Sequence, residues 1–162
     1  MDILINKNHP LPLLVNIRTS LKREGKKVVF TNGCFDLLHS GHTHLLRKAK
    51  MLGDVLIVAV NDDQSIETIK GASRPIFPLA ERLEILEAIE YIDYIISFSE
   101  ETPQKVISAL LPDVLVKGKD WKKDEVVGRK EVEEAGGEVV LVSLCEGQST
   151  TSILEKIARF LK

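Results

Sequence analysis

The chain alternates between short runs of apolar residues and segments whose apolar residues recur every three or four positions. The first pattern is typical of strands and the second of amphipathic helices. Residues 54–60 form the clearest strand, and they are apolar on both faces, as expected for a strand covered by helices on both sides of a sheet. The alternation predicts a doubly wound, Rossmann-like α/β domain with a parallel sheet of about five strands.

The predicted elements follow one another along the whole chain. A leading helix is predicted through Leu14, Ile17 and Leu21, with Gly25 ending it. The predicted strands are residues 28–30, 54–60, 94–98, 114–116 and 138–144. Further helices are predicted from His42 to Leu52, from Leu79 to Ile89, from a cap at Thr102 and Pro103 to Leu110, before Gly136 and Gly137, and from Ser149 onward.

Length and composition predict a single domain over residues 1–162, with a leading helical segment at 1–26 and a catalytic core at 27–162. The 44% of hydrophobic and 28% of charged residues are ordinary for a globular domain. A formal net charge of -2 gives no general attraction to polyanions, so we expect neither nucleic acid nor a membrane as a partner. Any phosphate must then be bound at a local site.

The longest apolar run, Val55–Val60, is much shorter than the roughly 20 residues that cross a bilayer. The amino terminus has an early acidic residue and no basic segment before a long apolar stretch, so we expect no signal peptide and a cytoplasmic protein. Cys34 and Cys145 lack the spacing of a disulfide framework or a zinc site. Both are expected to be reduced and buried.

Polar clusters fall where predicted strands end, at residues 31–42, 61–74, 117–121 and 147–151. Ligands of a doubly wound sheet bind outside the carboxyl ends of its strands. Within the first cluster, His39 and His42 are three residues apart, so a helix beginning at Gly41 would let both rings face one point. Free N–H groups at a helix start favour an anion, which indicates a polyphosphate site.

The clustered histidines are also compatible with two roles that involve no phosphate. His39, His42 and His44 together with Cys34 could bind a metal, although the spacing of known zinc motifs is absent. They could also be ordinary capping and surface histidines. The sequence contains neither Gly-x-Gly-x-x-Gly after a strand nor Gly-x-x-x-x-Gly-Lys-Ser/Thr, so it lacks the common dinucleotide and P-loop motifs.

Residues 31–42, TNGCFDLLHSGH, resemble the signature of the cytidylyltransferase-like HxGH nucleotidyltransferases. Later segments occur in the order found in one branch of that family, the adenylyltransferase part of bacterial ADP-heptose synthase. These segments are Val60–Asp63, Lys70–Gly71, Arg74–Ile76, Thr102–Pro103, Leu115–Gly118, Asp120–Trp121 and Gly147–Thr151.

The resemblance implies transfer of AMP from ATP to D-glycero-β-D-manno-heptose 1-phosphate, with release of pyrophosphate. Mg²⁺ would arrive with ATP, without a metal site built from protein ligands alone. In many members this part is fused to a sugar kinase, which 162 residues cannot include, so the resemblance implies a stand-alone form. A separate heptose kinase and a phosphatase would act in the same pathway, and a homodimer is an expected assembly.

The resemblance also implies roles for individual residues. The expected catalytic residues are His39, His42 and Lys70. The expected nucleotide-binding residues are Thr31, Asn32, Gly33, Phe35, Gly41, Lys117, Gly118, Asp120, Ser149, Thr150 and Thr151. The candidates for binding the second substrate are Asp36, Asn61, Arg74 and Arg82.

Several of these residues have alternative roles. Lys70, in a predicted glycine-containing loop, could bind phosphate of the nucleotide or the sugar, or could simply be solvated. Asp36 could organise its loop by hydrogen bonding, and Arg82 could extend from a helix surface into solvent. The hydroxyls at 149–151 could bind phosphates or cap the last helix, with Ser152 and Glu155 as a capping box.

One segment departs from the related cytidylyltransferases, which carry Arg-Thr-Glu-Gly-Ile-Ser-Thr where this chain has residues 144–150, LCEGQST. The arginine is absent, which weakens the prediction of a cytidylyltransferase for glycerol phosphate. Lys70, Arg74 and Arg82 are the candidates to supply the missing charge. Two alternative functions stay open: a cytidylyltransferase for a polyol phosphate such as glycerol 3-phosphate, and a nucleotide-binding regulatory module without catalysis.

Overall fold

A computed structural model describes residues 6–143 and 149–161. Five parallel strands form one sheet in the order β3-β2-β1-β4-β5. The strands are β1 (Val28–Gly33), β2 (Val55–Asn61), β3 (Tyr94–Phe98), β4 (Val114–Gly118) and β5 (Glu138–Val142). The predicted Rossmann-like α/β fold is therefore confirmed.

Helices connect the strands and cover both faces of the sheet. They are α1 (Leu11–Arg23), α2 (Ser40–Lys50), α3 (Asp63–Lys70), α4 (Leu79–Glu87), α5 (Gln104–Leu110), α6 (Arg129–Glu134) and α7 (Thr150–Phe160), with a short 3-10 helix at Lys123–Glu125. Within the described residues no helix is both long enough and apolar enough to cross a membrane.

The sheet is apolar on both faces because a hydrophobic core lies on each side. On one side Phe30 and Ile57 pack with Leu14 of α1 and Ile107 of α5. On the other side, neighbouring strand residues pack against α2 and α4; this core includes Val29, Val58, Leu46 and Leu86. Burial on both faces explains why the strand sequences are nearly continuous apolar runs.

The order of the strands places a topological switch beside β1. From β1 the chain adds β2 and then β3 on one side, and afterwards adds β4 and β5 on the other. Phe30 of β1 is in register with Ile57 of β2 and with Leu115 of β4. The loops leaving β1 and β4 therefore diverge at the carboxyl edge of the sheet, where this class of fold binds ligands.

The leading segment is attached to the edge of the sheet. Asn8 forms an isolated parallel bridge with Ile95 of β3, and the His9 N–H donates to the Ile95 carbonyl at 2.9 Å. Leu14 of α1 is fully buried in the core next to α5. The predicted boundary after residue 26 thus separates two segments that share one hydrophobic core.

One helix was missed where the sequence predicted only a loop at residues 61–74. The side chain of Asp62 accepts a hydrogen bond from the Ser65 N–H at the start of α3, and Gly71, with φ of 94°, ends it. With eight residues, α3 is too short for apolar periodicity to show. The cap and the closing glycine were the available signals. Lys70 is consequently the last residue of a helix.

Several predicted element ends and caps also differ from the structure, as when β1 extends to Gly33 and β4 to Gly118. Thr102 does not cap α5, which begins at Gln104 with Pro103 at the cap position and no side-chain cap. Helix α4 ends at Glu87, before Ile89. At α7 the capping box joins Ser149 to Ser152, so Ser152 and Glu155 do not form it. Strand β5 ends at Val142, and Leu144, the predicted end, lies outside the described residues.

Candidate active site

A cavity of about 310 Å³ opens at the carboxyl edge of the sheet. Its wall is formed by the ends of β1 and β4, the starts of α2 and α7, and the end of α3 with the segment that follows it. All four polar clusters predicted from the sequence contribute to this wall. The doubly wound topology therefore brings together segments more than one hundred residues apart in the chain.

The start of α2 fixes both histidines. His39 is the extended N-cap residue, and its Nδ1 accepts a hydrogen bond from the Gly41 N–H at 3.1 Å. The His39 N–H in turn donates to Nδ1 of His42 at 3.3 Å. The two ring centroids are 3.9 Å apart. Since each Nδ1 accepts a backbone N–H, we infer that each neutral ring carries its proton on Nε2 and presents a donor there.

Both histidines are held in the neutral form. Burial lowers the pKa of His42 to about 4, and the nearby His39 and Lys70 contribute to that shift in the same direction. Burial also lowers the pKa of His39. At neutral pH the pair therefore offers two hydrogen-bond donors without adding a formal charge.

Phe35 shapes the floor beside the histidines. Its backbone adopts a left-handed conformation, with φ of 46°, and its buried ring lies 5.4 Å from that of His42. A Cβ on residue 33 would lie 3.2 Å from the Phe35 ring, so a side chain larger than that of glycine would press on the ring.

Two polar residues of β1 lie next to this ring in the chain. The Thr31 hydroxyl donates to the Val116 carbonyl and ties β1 to β4. Oδ1 of Asn32 is buried with no hydrogen-bond partner among the described residues.

The end of β4 supplies a buried cation. Lys117 is only 8% exposed, and its Nζ lies 5.3 Å from the centroid of the Trp121 ring. Burial lowers the pKa of Lys117 to about 8, against the opposing effect of Asp120 and Cys34. Gly118 and Asp120 line the cavity next to it. This wall combines an aromatic ring, a cation and open backbone, a set of groups that suits a nucleoside.

The start of α7 forms another part of the wall. Ser149, Thr150 and Thr151 all line the cavity. The Ser149 hydroxyl accepts the Ser152 N–H at 3.0 Å, so Ser149 caps the helix. Helix N-termini favour anions, and the starts of α2 and α7 both border the cavity.

Most of the predicted site residues line this one cavity. They are Thr31, Asn32, Gly33, Phe35, His39, Gly41, His42, Lys70, Arg74, Lys117, Gly118, Asp120, Ser149, Thr150 and Thr151. The described part of residues 147–151 begins at Ser149, so Gly147 and Gln148 lie outside it, as does the position at which the arginine is absent.

The structure places Asp36, Asn61 and Arg82, the other candidates for binding the second substrate, outside the lining of the cavity. Asn61 is buried, and its Nδ2 donates to the Ser65 hydroxyl at 2.9 Å. Asp36 accepts from the Arg74 side chain and from two backbone N–H groups. These two side chains therefore hold segments at the carboxyl edge of the sheet through hydrogen bonds within the protein.

Arg82 is fully buried, so it neither reaches into solvent nor faces the cavity. Its Nη1 donates to the carbonyls of Cys34 and Asn61 at 2.6 and 2.8 Å. Its Nε donates to the Phe77 carbonyl, and its Nη2 pairs with Asp63. The guanidinium thus joins the ends of β1 and β2 to the segment before α4. A buried arginine cannot be recognised from its own sequence position, because its partners come from distant segments.

Three lining residues were absent from the predicted site: Cys34, Leu45 and Trp121. Cys34 and Trp121 each lie within a predicted polar cluster, which was the signal available for them. Cys34 was expected to be buried but is partly exposed. Its partial burial is still enough to raise the pKa of its thiol. Cys145 lies outside the described residues.

The metal-binding alternative for the histidines gains no support from the arrangement. Among residues 6–143 and 149–161, no group of three or more His, Cys, Asp and Glu side chains is arranged to hold a metal ion. His44 does not line the cavity with His39 and His42.

Comparison with known proteins identifies the family. The cytidylyltransferase-like family matches residues 30–156, which include all or part of every strand and the whole of the cavity wall. The chain belongs to the cytidylyltransferase-like family. It is therefore a nucleotidyltransferase, as the motif at residues 31–42 predicted.

The cytidylyltransferase-like relatives include longer proteins. The chain is 54% identical over 134 residues to bifunctional protein HldE of Hydrogenovibrio crunogenus, covering 83% of this chain and 28% of that protein. It is 50% identical over 149 residues to bifunctional protein HldE of Geobacter sulfurreducens, covering 92% of this chain and 30% of that one. The chain thus spans less than a third of the length of these two relatives.

Two solved structures share the cytidylyltransferase-like fold. A lipopolysaccharide core biosynthesis protein from Thermoplasma volcanium is 32% identical with a TM-score of 0.59, over 75% of this chain and 98% of that one. Pantoate-beta-alanine ligase from Francisella tularensis has a TM-score of 0.64 at 18% identity, over 96% of this chain and 79% of that one. The second likeness concerns the fold alone.

Proposed function

We propose that this nucleotidyltransferase transfers AMP from ATP to D-glycero-β-D-manno-heptose 1-phosphate, giving ADP-heptose and pyrophosphate. The observation that carries the proposal is that most of the segments matching one branch of the family contribute to one cavity. The high identity to bifunctional proteins HldE and the likeness to a lipopolysaccharide core biosynthesis protein support the same assignment.

In the proposed reaction an oxygen of the sugar phosphate attacks the α-phosphorus of ATP, and pyrophosphate leaves. A phosphate monoester is largely dianionic at neutral pH, because its second pKa is about 6. The acceptor therefore needs no strong general base. The enzyme must instead bring two anions together and stabilise negative charge on the α-phosphate and the leaving pyrophosphate.

His39 and His42 suit this task as a pair of neutral donors. Each ring is fixed by a backbone N–H at Nδ1, so its Nε2–H needs little reorganisation to meet a phosphate oxygen. Their lowered pKa values keep this hydrogen-bonding pattern through the neutral range. The start of α2, where Gly41 brings backbone close to the ligand, adds N–H groups on the same side.

The nucleotide occupies the β4 and α7 side of the cavity in this proposal. Lys117, Gly118 and Trp121 contact the nucleoside, and Thr150 and Thr151 lie beside its phosphates. Mg²⁺ enters with ATP, held mainly by the phosphates, as is usual for this ion. Asp120 is the single carboxylate among the described lining residues, so it is the residue that would contact the ion.

The assignment makes further proposals about partners. A separate heptose kinase and a phosphatase are proposed to act earlier in the same sequence of reactions, and the reaction is proposed to take place in the cytoplasm. A homodimer is also proposed, and sedimentation analysis of the purified chain at two concentrations measures it.

A panel of substrates tests the proposed function. The protein is incubated with Mg²⁺ and each of ATP, CTP, GTP and UTP, paired with the heptose 1-phosphate or with glycerol 3-phosphate, while pyrophosphate release is recorded. We expect the highest kcat/KM for ATP with the heptose 1-phosphate. Preference for CTP and glycerol 3-phosphate would replace this proposal with the polyol phosphate alternative, and no release with any pair would contradict both.

A further inference from the structure

Strands β1 and β4 separate at the edge of the cavity. Among the described residues, their register pairs end with Thr31 of β1 opposite Val116 of β4. Both strands continue beyond this pair, β1 beside β2 as far as Gly33 and β4 beside β5 as far as Gly118. The cavity opens between these two strand ends, as expected at the switch point of a doubly wound sheet.

A side chain joins the two strands at the point where their register pairs end. The Thr31 hydroxyl donates to the Val116 carbonyl at 3.0 Å, and Thr31 has no exposed surface. Loss of such a bond is costly, because water cannot reach the buried carbonyl to replace the missing donor. The hydroxyl therefore fixes the Val116 carbonyl at the place where the strands diverge.

The carbonyl fixed in this way belongs to the same peptide group as the Lys117 N–H. A peptide group is planar, so holding the Val116 oxygen also holds the backbone from which the lysine side chain begins. On the other side of the strand, Lys117 is in register with Leu141 of β5. The end of β4 is thus held by β5 on one side and by the Thr31 hydroxyl on the other.

The position of this backbone also decides where two groups of the cavity wall lie. The Lys117 side chain is buried, and its Nζ lies 5.3 Å from the centroid of the Trp121 ring. The Trp121 N–H donates to the Gly118 carbonyl at 3.1 Å, so the indole is attached to the same strand end. A movement of β4 away from β1 would therefore shift both the cation and the ring relative to the histidines of α2.

We propose that Thr31 is a positioning residue for Lys117, and that its hydroxyl sets the nucleotide side of the cavity by holding the end of β4 against β1. This inference rests on the proposed function for the place of the nucleotide. It assigns Thr31 no contact with a substrate, in contrast to the nucleotide-binding role that the sequence predicts.

Fluorescence of Trp121 tests the positioning in the absence of any substrate. Trp121 is the single tryptophan of the chain, so its emission reports on its contact with Lys117. Thr31→Val removes the hydroxyl but keeps a β-branched side chain, which is favourable in a strand. This variant should show a shifted emission maximum and stronger quenching by acrylamide. Thr31→Ser keeps the donor and should match the unsubstituted protein.

Equilibrium titration with ATP measures the consequence for the nucleotide. Thr31→Val should weaken ATP binding about three- to tenfold, as expected for the loss of one buried hydrogen bond. Thr19→Val is the matched control, because the Thr19 hydroxyl also donates to a carbonyl, that of Val15, but lies exposed on α1 outside the cavity. The control should change neither the emission nor the affinity.

A double variant separates positioning from general support of the fold. If Thr31 acts through Lys117, Thr31→Val should weaken ATP binding less than about twofold once Lys117→Met has removed the cation. Additive effects of the two changes would overturn the assignment. Loss of cooperative urea unfolding in Thr31→Val but not in Thr31→Ser would also overturn it, because the hydroxyl would then support the fold as a whole.

These readouts keep the inference distinct from the identity of the acceptor. Altered Trp121 emission together with weaker ATP binding in Thr31→Val supports the positioning role even if no heptose is turned over. Emission like that of the unsubstituted protein, or ATP bound as tightly, contradicts the role even if the heptose 1-phosphate is the acceptor.

Discussion

His39 and His42 share one local motif, but their chemical state depends on the surrounding fold. The three-residue spacing already predicted that the rings could face one point. The sequence could not predict that backbone N–H groups donate to both Nδ1 atoms, or that His42 packs against Phe35. Together these contacts make the pair neutral donors rather than cations.

Replacing His42 with alanine should lower kcat about a hundred- to a thousandfold, the usual cost of losing one fixed donor to a transition-state oxyanion. The affinity for ATP should change much less, because the remaining contacts to the nucleotide persist. His44→Ala is the control, since His44 is on the same helix but does not line the cavity. Equal loss of turnover in both variants would contradict a catalytic role for His42. Initial rates and equilibrium titration with ATP provide the two readouts.

The lowered pKa of His42 also predicts how stability depends on pH. Its pKa is about 4 in the fold against 6.5 in the unfolded chain, so below pH 6.5 the unfolded state takes up the proton first. The free energy of unfolding should therefore fall as pH decreases from about 6.5 to 4, and this group should cause no further loss below that range. His39 acts in the same direction.

Urea unfolding at several pH values measures this dependence. His42→Asn should reduce the slope between about pH 4 and 6.5, because the substituted side chain does not titrate there. Thr43→Asn, at an exposed position of the same helix and without a titratable group, is the control and should leave that slope unchanged. An unaltered slope in His42→Asn would show that the buried imidazole is not the group responsible.

At the level of elements, Arg82 connects the loop after β1, the end of β2 and the segment before α4. Its guanidinium satisfies the carbonyls of Cys34, Asn61 and Phe77, and all three belong to segments that lead into or surround the cavity. A single buried side chain therefore positions parts of the site without touching the cavity itself.

Arg82→Met should lower the free energy of unfolding by about 3 kcal/mol or more, because it leaves buried carbonyls without donors. Chemical denaturation of this variant beside Arg47→Met measures the effect. Arg47 is exposed, so its loss should cost less than about 0.5 kcal/mol. Similar stability of the two variants would contradict the structural role of Arg82.

The strands and long helices could be predicted from sequence because burial on one or both faces imposes a regular apolar pattern. Tyr94–Phe98 was predicted with both ends correct. The short helix α3 could not be found in this way, since only Ile66 and Ile69 are large apolar residues in it and its start depends on the Asp62 side chain. The Asp62 cap allows a helix to form in a segment whose polar composition is typical of a loop.

The candidate site was predictable where function depends on residues next to each other in the chain. Most motif residues line the cavity, because the ends of parallel strands meet at one edge. The buried positions of Asp36 and Arg82 could not be predicted, because their partners, Arg74 and the carbonyl of Asn61, are 38 and 21 residues away in the chain. Residue type alone does not distinguish a charge that binds ligand from one buried by long-range pairing.

For the whole molecule, the arrangement of strands explains how a chain with a net charge of -2 can bind anions. The sheet brings Lys70, Arg74, Lys117 and two helix starts to one cavity, while acidic residues elsewhere balance the total. Local concentration of donors thus replaces an overall positive charge.

The fate of the α-phosphate of ATP tests the central claim most directly. The protein is incubated with Mg²⁺, the heptose 1-phosphate and ATP labelled at the α-phosphate, and the products are separated. Nucleotidyl transfer predicts that the label enters ADP-heptose while the released pyrophosphate is unlabelled, and that His42→Ala slows this transfer. Label recovered only in ADP or in free AMP would instead indicate phosphoryl transfer or hydrolysis, and would contradict the account.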